Sequence, residues 1–108
     1  MRGPPIYTFA MSKTNLTEQA AALKEAWHSV VVGCAAGANV KVLRMDGRSY
    51  PNEVHDFEEA LLVLDGTTNL DIGNKVVQVH SGEVYFVPSG LAHAVAPGSE
   101  GTLVIIDR

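Results

Sequence analysis

Turns that contain glycine, proline or asparagine divide the chain after residue 28 into short segments rich in β-branched and apolar residues. Such segments at near-regular spacing are typical of the strands of a β-sandwich or a β-barrel. The predicted strands are residues 29–36, 40–45, 59–64, 67–72, 75–79, 83–87, 92–96 and 103–107. At 108 residues the chain is long enough for one hydrophobic core, which indicates a single domain.

One segment before the strands has the pattern of a helix. Asn15 and Glu18 have the spacing of a capping box, which marks a helix start. The apolar residues that follow at helical spacing are Leu16, Ala20, Leu23 and Trp27. We therefore expect one short helix, residues 16–27, packed on the barrel. Residues 1–13 are expected to form an irregular or extended arm, and residues 14–108 the barrel domain.

Composition argues against several classes of partner. The net charge is −4 and the eight Lys and Arg residues are scattered, so no basic stripe is available for a nucleic-acid backbone. No apolar run approaches the roughly 18 residues that a membrane-spanning helix needs. The single cysteine, Cys34, cannot form an internal disulfide, so the fold does not depend on an oxidising compartment. These features together predict a cytoplasmic protein.

Two predicted strands are apolar on both faces, at residues 61–64 and 103–106. One face can fill the barrel, but the other must also be covered, and one helix cannot cover several strands. Charged residues make up only 19% of the chain, which also suggests that much of the surface is covered. The sequence therefore predicts a homodimer.

Two segments carry a pattern of fixed spacings. In the second segment, five residues separate Gly82 from Pro88, and Gly90 and then His93 follow. In the first, six residues separate Glu59 from Gly66. The second segment resembles the second conserved motif of the cupin family, and the first resembles the latter half of the first motif. The resemblance covers about residues 47–107.

The resemblance implies an all-β fold, the cupin jelly-roll barrel, in a small single-domain member. It also implies that Glu59 and His93 converge inside the barrel, where a carboxylate and an imidazole suit a divalent transition metal such as Fe, Mn, Zn or Ni. One departure is Pro97, which stands where the family usually has Asn.

The leading histidines of the first motif are the other departure. Cupins usually carry two histidines, one residue apart, three or four residues before the Glu. The shorter count places Glu53 and His55 at these positions, and the longer count places Asn52 and Val54 there. The shorter count is preferred, because His55 then shares strand parity with Glu59. The implied ligand set is His55, Glu59 and His93, with Glu53 or water completing it.

Other interpretations of these residues remain open. Glu59 and His93 could satisfy each other through a direct hydrogen bond, and Glu53 could be an ordinary exposed carboxylate. Four further residues are candidates to line the pocket, although each could equally be core or rim: Tyr50, Phe57, Leu61 and Phe86.

Two functions are consistent with the sequence, and it does not decide whether the protein is an enzyme. One is a metal-dependent enzyme that acts on a small molecule, for which the resemblance implies dioxygenases, isomerases and decarboxylases as the range. The other is a non-catalytic module that binds a small ligand with weak or no metal, which the loss of one or both leading histidines favours. Fold alone does not assign a reaction.

Overall fold

The computed structural model describes the backbone of residues 6–7 and all of residues 13–108. Most of the predicted N-terminal arm therefore lies outside the described residues. The elements, in chain order, are β1 (Ile6–Tyr7), α1 (Leu16–Ala21), β2 (Val30–Ala35), β3 (Ala38–Asp46), β4 (Tyr50–Glu53), β5 (Glu59–Asp71), β6 (Val76–His80), β7 (Val84–Val87), β8 (His93–Val95) and β9 (Glu100–Asp107).

The strands form one curled sheet, which confirms the predicted all-β barrel. Its order is β1-β2-β3-β9-β5-β8-β4, and β6 and β7 also pair with β5. All of these pairs are antiparallel except β1 with β2. Apolar side chains on the inward face form an interior cluster: Trp27, Leu43, Met45, Leu61, Val63, Leu70, Val79, Val87, Val95, Leu103 and Ile105.

The long strand β5 differs from the sequence prediction, which placed a turn at Asp65-Gly66. The chain instead continues as one strand from residue 59 to residue 71, with a register shift between Val63 and Asp65. Gly66 has φ +84°, and a Cβ there would lie 1.9 Å from the carbonyl oxygen of Glu100. The glycine therefore marks a close approach of β5 to β9 at a bulge, where only a residue without a side chain fits.

The helix begins as predicted but ends earlier. The Asn15 side chain accepts a hydrogen bond from the Glu18 amide at 3.0 Å, as an N-cap should. The helix stops at Ala21, because the residues of its predicted apolar face pack in two different hydrophobic clusters. Ala20 packs on the outer face of the sheet, whereas Trp27, at φ +69°, enters the interior cluster and donates its indole N–H to Asp46.

The outward face of the sheet is only partly covered. The helix packs on an outer cluster that comprises Ala20, Val30, Val32, Val42 and Val104. Farther along the same face, Val84, Phe86 and Ile106 are exposed. Within the described part of the chain, no helix is long and apolar enough to cross a membrane.

Candidate metal centre

Glu59 and His93 converge inside the barrel. Glu59 is the first residue of β5 and His93 is the first residue of β8. The His93 Nε2 atom lies 3.0 Å from Glu59 Oε1, and both side chains are buried. The sequence-based expectation that these two groups meet in one interior is therefore matched by the geometry.

The turn before β8 aims the His93 ring. Gly90, at φ +83°, donates its amide to the carbonyl oxygen of His55 at 2.8 Å, which ties this turn to the loop that precedes β5. The His93 Nδ1 atom lies 3.0 Å from the carbonyl oxygen of Leu91. Since a carbonyl can only accept, Nδ1 carries the proton, and Nε2 is the nitrogen that faces the cluster.

The contact between His93 and Glu59 requires a proton of its own. With Nδ1–H donated to Leu91, a neutral imidazole would face the Glu59 carboxylate with a lone pair. A proton on Nε2 resolves this, and the hydrogen bond to Glu59 is the main reason why the pKa of His93 is raised above its ordinary 6.5. Burial acts in the opposite direction but is outweighed. A metal ion would take the place of this shared proton.

Two further groups complete the cluster. Glu53 ends β4 and pairs directly with His93 in the antiparallel β4–β8 ladder. His55 follows in the next loop, and its Nε2 atom lies 3.6 Å from Glu53 Oε1 and 3.9 Å from Glu59 Oε1. The side-chain ligand atoms of Glu53, His55 and His93 all lie within 4.8 Å of one another.

The His55 ring tests whether this cluster fits a metal ion. Its Nε2 atom is buried and has no hydrogen-bond partner, although two carboxylates lie just beyond hydrogen-bonding distance. A buried polar atom left in this state is costly, and a cation placed between the imidazole and the carboxylates would satisfy it. Two imidazoles and two carboxylates are also a donor set that divalent transition metals accept. The residues therefore fit such an ion.

The two ways of counting the leading ligand positions differ clearly in space. Glu53 and His55 both direct their side chains into the cluster, and the His55 side chain is only 8% exposed. Asn52 and Val54 are exposed instead. The geometry therefore supports the shorter count.

Three of the four predicted pocket-lining residues lie inside the barrel or at its rim. The Phe57 ring stacks on His55 with centroids 4.9 Å apart and planes at 7°, so it supports the imidazole. Tyr50 packs against the interior cluster, and its ring lies 5.7 Å from that of Trp27. Leu61 is fully buried in the same cluster.

The fourth residue, Phe86, borders a groove that Glu59 also lines, but it does not face the barrel interior. Its neighbour Val87 pairs with Glu59 and is buried, whereas Phe86 pairs with Ala60. Because successive strand residues point to opposite faces, Phe86 lies on the outside of the barrel, where it is 72% exposed. The strand was correctly predicted, but the face on which Phe86 lies was not.

Sequence reasoning missed one buried ion pair. The Lys41 ammonium lies 3.0 Å from both carboxylate oxygens of Asp107, and the two side chains are 9% and 1% exposed. Lys41 shares strand parity with interior Leu43, and Asp107 shares it with interior Ile105. A charged residue at an inward position of an otherwise apolar strand face was the available signal.

Comparisons with known proteins agree with this geometry. The chain has a TM-score of 0.79 and 22% identity to a cupin-2 domain protein from Shewanella frigidimarina, covering 88% of this chain and 94% of that one. A protein from Neisseria meningitidis gives 0.75 and 23%, covering 88% and 97%. A cupin superfamily protein from Desulfitobacterium hafniense gives 0.69 and 16%, covering 88% and 90%. At these identities the likenesses show the fold alone, which is the cupin jelly roll.

A search of curated proteins finds no significant match. The family profile described as the cupin domain matches residues 41–107, which is more than half of the chain. This segment contains all four residues of the cluster, Glu53, His55, Glu59 and His93. The chain is therefore a member of the cupin family.

Proposed function

We propose that this chain binds a divalent transition metal ion through His55, Glu59 and His93, with Glu53 as a fourth oxygen donor, and that the centre acts on or senses a small molecule. The single observation that carries the proposal is the buried, unpartnered Nε2 atom of His55, which faces two carboxylates. The Nε2 atom of His93 faces the same space.

The side chains have separate tasks in this centre. Leu91 fixes the His93 tautomer through its carbonyl oxygen, and Phe57 fixes the plane of His55 by stacking. Glu59 accepts the hydrogen bond from Nε2–H of His93, and this proton must leave before Nε2 can bind a metal. When bound, a divalent ion supplies Lewis-acid chemistry toward a substrate oxygen, water or dioxygen.

A surface cleft borders one residue of the cluster. A cleft of about 560 Å³ borders His55 and Phe57 and is formed by the loop before β5 and the turn before β8. Its other lining residues are Val54, Asp56, Ser89 and Gly90. This size suits a small organic molecule, and the aromatic and apolar parts of the lining suit its carbon skeleton.

A non-catalytic ligand-binding cupin is the second candidate. Glu53 occupies a position where cupins usually carry a histidine, so the donor set contains one imidazole fewer than the family pattern. A weaker metal site in a sensor or carrier would be consistent with this substitution. Dioxygen uptake with small phenolic or thiol substrates, measured with and without added iron, separates the two functions. Uptake that depends on iron supports the enzyme.

Elemental analysis of the purified protein tests the metal site directly. We expect a divalent transition metal in the wild type and loss of most of it in His93→Ala and in Glu59→Ala. His80→Ala is the matched control, because His80 is exposed on β6 and bonds to Thr67 instead. Equal metal content in all four proteins would remove His93 and Glu59 as ligands.

We also propose that the exposed outer face pairs with a second copy of the chain. A row of apolar positions crosses four strands there, formed by Phe86, Ala60, Ile106 and Val40. Glu58 and Arg108 are exposed and border the same groove as Phe86. In a two-fold interface the same surface meets itself and every contact occurs twice. Glu58 of one copy can therefore face Arg108 of the second copy, so that the opposite charges complement one another.

A further inference from the structure

The buried pair of Lys41 and Asp107 lies beside the candidate metal centre. Ala60 pairs with Ile106 in the antiparallel β5–β9 ladder, so Glu59 and Asp107 come opposite each other one position farther along. Both residues also border one groove of about 760 Å³ at this end of the barrel. Directly opposite side chains on neighbouring strands are normally about 5 Å apart at Cβ.

Lys41 is an inward-facing cation on the same wall of the barrel. It lies on β3, which pairs with β9 on the side away from β5, and it pairs with Ile105. Its inward ammonium therefore has two carboxylates on the same wall, those of Asp107 and Glu59. Asp107 is on the adjacent strand and holds the ammonium at 3.0 Å. Because a lysine carries its point charge on a flexible four-carbon stem, loss of Asp107 would leave the ammonium free to turn toward the next acid.

Such a turn would change the chemistry of Glu59. This carboxylate is already shared with His93, and it would form part of the donor set for a cation. An ammonium bound to it would compete with both, since like charges in a buried site repel strongly. The pairing of Lys41 with Asp107 would therefore leave Glu59 to His93.

On the basis of the metal centre proposed above, we infer that Asp107 is a positioning residue: it holds the Lys41 ammonium away from Glu59 and so keeps that carboxylate available to His93 and to a metal ion.

This role predicts opposite effects for the two single variants. Asp107→Asn keeps the shape of the side chain but removes the negative charge that holds Lys41, so Ni²⁺ binding should weaken by about 10- to 100-fold, as for other supporting residues of metal sites. Lys41→Met removes the competing cation and should bind Ni²⁺ at least as tightly as the wild type. The double variant Lys41→Met/Asp107→Asn should return to within about threefold of the wild type, since the two sites are strongly coupled.

The experiment is calorimetric titration of Ni²⁺ into metal-free protein, with Glu100→Gln as the control. Glu100 is exposed and begins β9, whereas Asp107 ends it, so this substitution removes the same charge from the other end of the same strand. Circular dichroism first establishes that each variant is folded. A merely structural ion pair would weaken both single variants alike. The inference is overturned if Asp107→Asn binds like the wild type, or if the double variant stays as weak as Asp107→Asn.

A crystal structure of metal-free Asp107→Asn provides a readout that does not depend on metal. We expect Lys41 Nζ to lie within hydrogen-bonding distance of a Glu59 oxygen, below about 3.2 Å. An ammonium that stays on the β3–β9 wall contradicts the inference, whatever the metal content. A wild-type protein that binds no Ni²⁺ would instead contradict the proposed metal centre, so the two failures are distinguishable.

Discussion

His93 and Glu59 are 34 positions apart in the sequence, yet the Nε2 atom of one lies 3.0 Å from the Oε1 atom of the other. Because Nδ1–H of His93 is committed to the Leu91 carbonyl, this contact holds a second proton in the metal-free state. That proton links the charge of the cluster to pH and to metal binding.

The pH dependence of the metal-free protein follows from this proton. The pKa of His93 is raised above 6.5 in the folded state, chiefly by the hydrogen bond to Glu59. A raised pKa stabilises the folded state below the unfolded pKa, and this contribution disappears as pH rises through the folded pKa. With chelator present, the wild type should therefore lose more stability between about pH 6 and pH 8 than Glu59→Gln does.

Two measurements check this expectation. Denaturant unfolding at both pH values gives the stability difference, and NMR titration of the imidazole signals gives the pKa of His93 directly. Glu59→Gln should lower that pKa, because the neutral amide no longer favours the imidazolium. A His93 pKa that is the same in both proteins would show that the contact does not hold a proton.

His55 should be required for metal binding, whereas Val54 should not. Removal of the His55 imidazole takes a buried donor away from the cluster, so His55→Ala should weaken Ni²⁺ binding by at least about tenfold. Val54→Ala is the matched control, since Val54 is the neighbouring residue, is exposed, and occupies the ligand position of the longer count. Calorimetric titration of both variants tests the shorter count, and a His55→Ala protein that binds Ni²⁺ as tightly as the wild type would contradict it.

Phe86 should control the oligomeric state. Phe86→Asp places a charge at the most exposed position of the apolar row, where burial without a partner is unfavourable. We expect the wild type to sediment as a dimer and this variant as a monomer in analytical ultracentrifugation. Val76→Asp is the control, because Val76 is also an exposed apolar residue but lies on β6, outside the row. A wild type that sediments as a monomer would contradict the proposed interface.

Gly66 should tolerate no side chain. Gly66→Ala forces a Cβ against the Glu100 carbonyl and also strains a positive φ, so unfolding should become easier by more than about 3 kcal/mol. Gly82 has the same φ of +84° but open space around it, so Gly82→Ala isolates the cost of conformation alone, about 1 kcal/mol. Chemical denaturation compares the two. Equal losses would mean that the β5–β9 approach relaxes easily.

Several features of the fold were predictable from local patterns. Alternating apolar segments with glycine and proline turns indicated a barrel, and the Asn15 cap indicated the start of the helix. Gly66 misled, because positive φ serves a turn and a bulge equally well, and only the partner strand distinguishes them. Strand β4 was missed because Tyr50–Glu53 contains a proline and is short and polar, as edge strands often are.

The candidate site was only partly visible in the same way. Glu59 and His93 were marked by two motifs whose glycine, proline and histidine spacings resemble those of the cupin family. The spacing could not choose between His55 and Val54, because the exact turn of a loop depends on contacts such as the one from the Gly90 amide to the His55 carbonyl oxygen. Phe86 was assigned to the wrong face because β7 has apolar residues on both faces. Its sequence pattern therefore does not show which residues point inward.

The sequence by itself determined that this chain forms a cupin barrel, because the local turn residues and spacings of its two motifs resemble those of the family, and the same resemblance implied that Glu59 and His93 converge inside it. The tertiary structure decided which side chains join them. Strand pairing brings Glu53 opposite His93 and buries Lys41 against Asp107. Contacts between residues far apart in the chain depend on register, and register is set by the packing of the whole sheet rather than by any one segment.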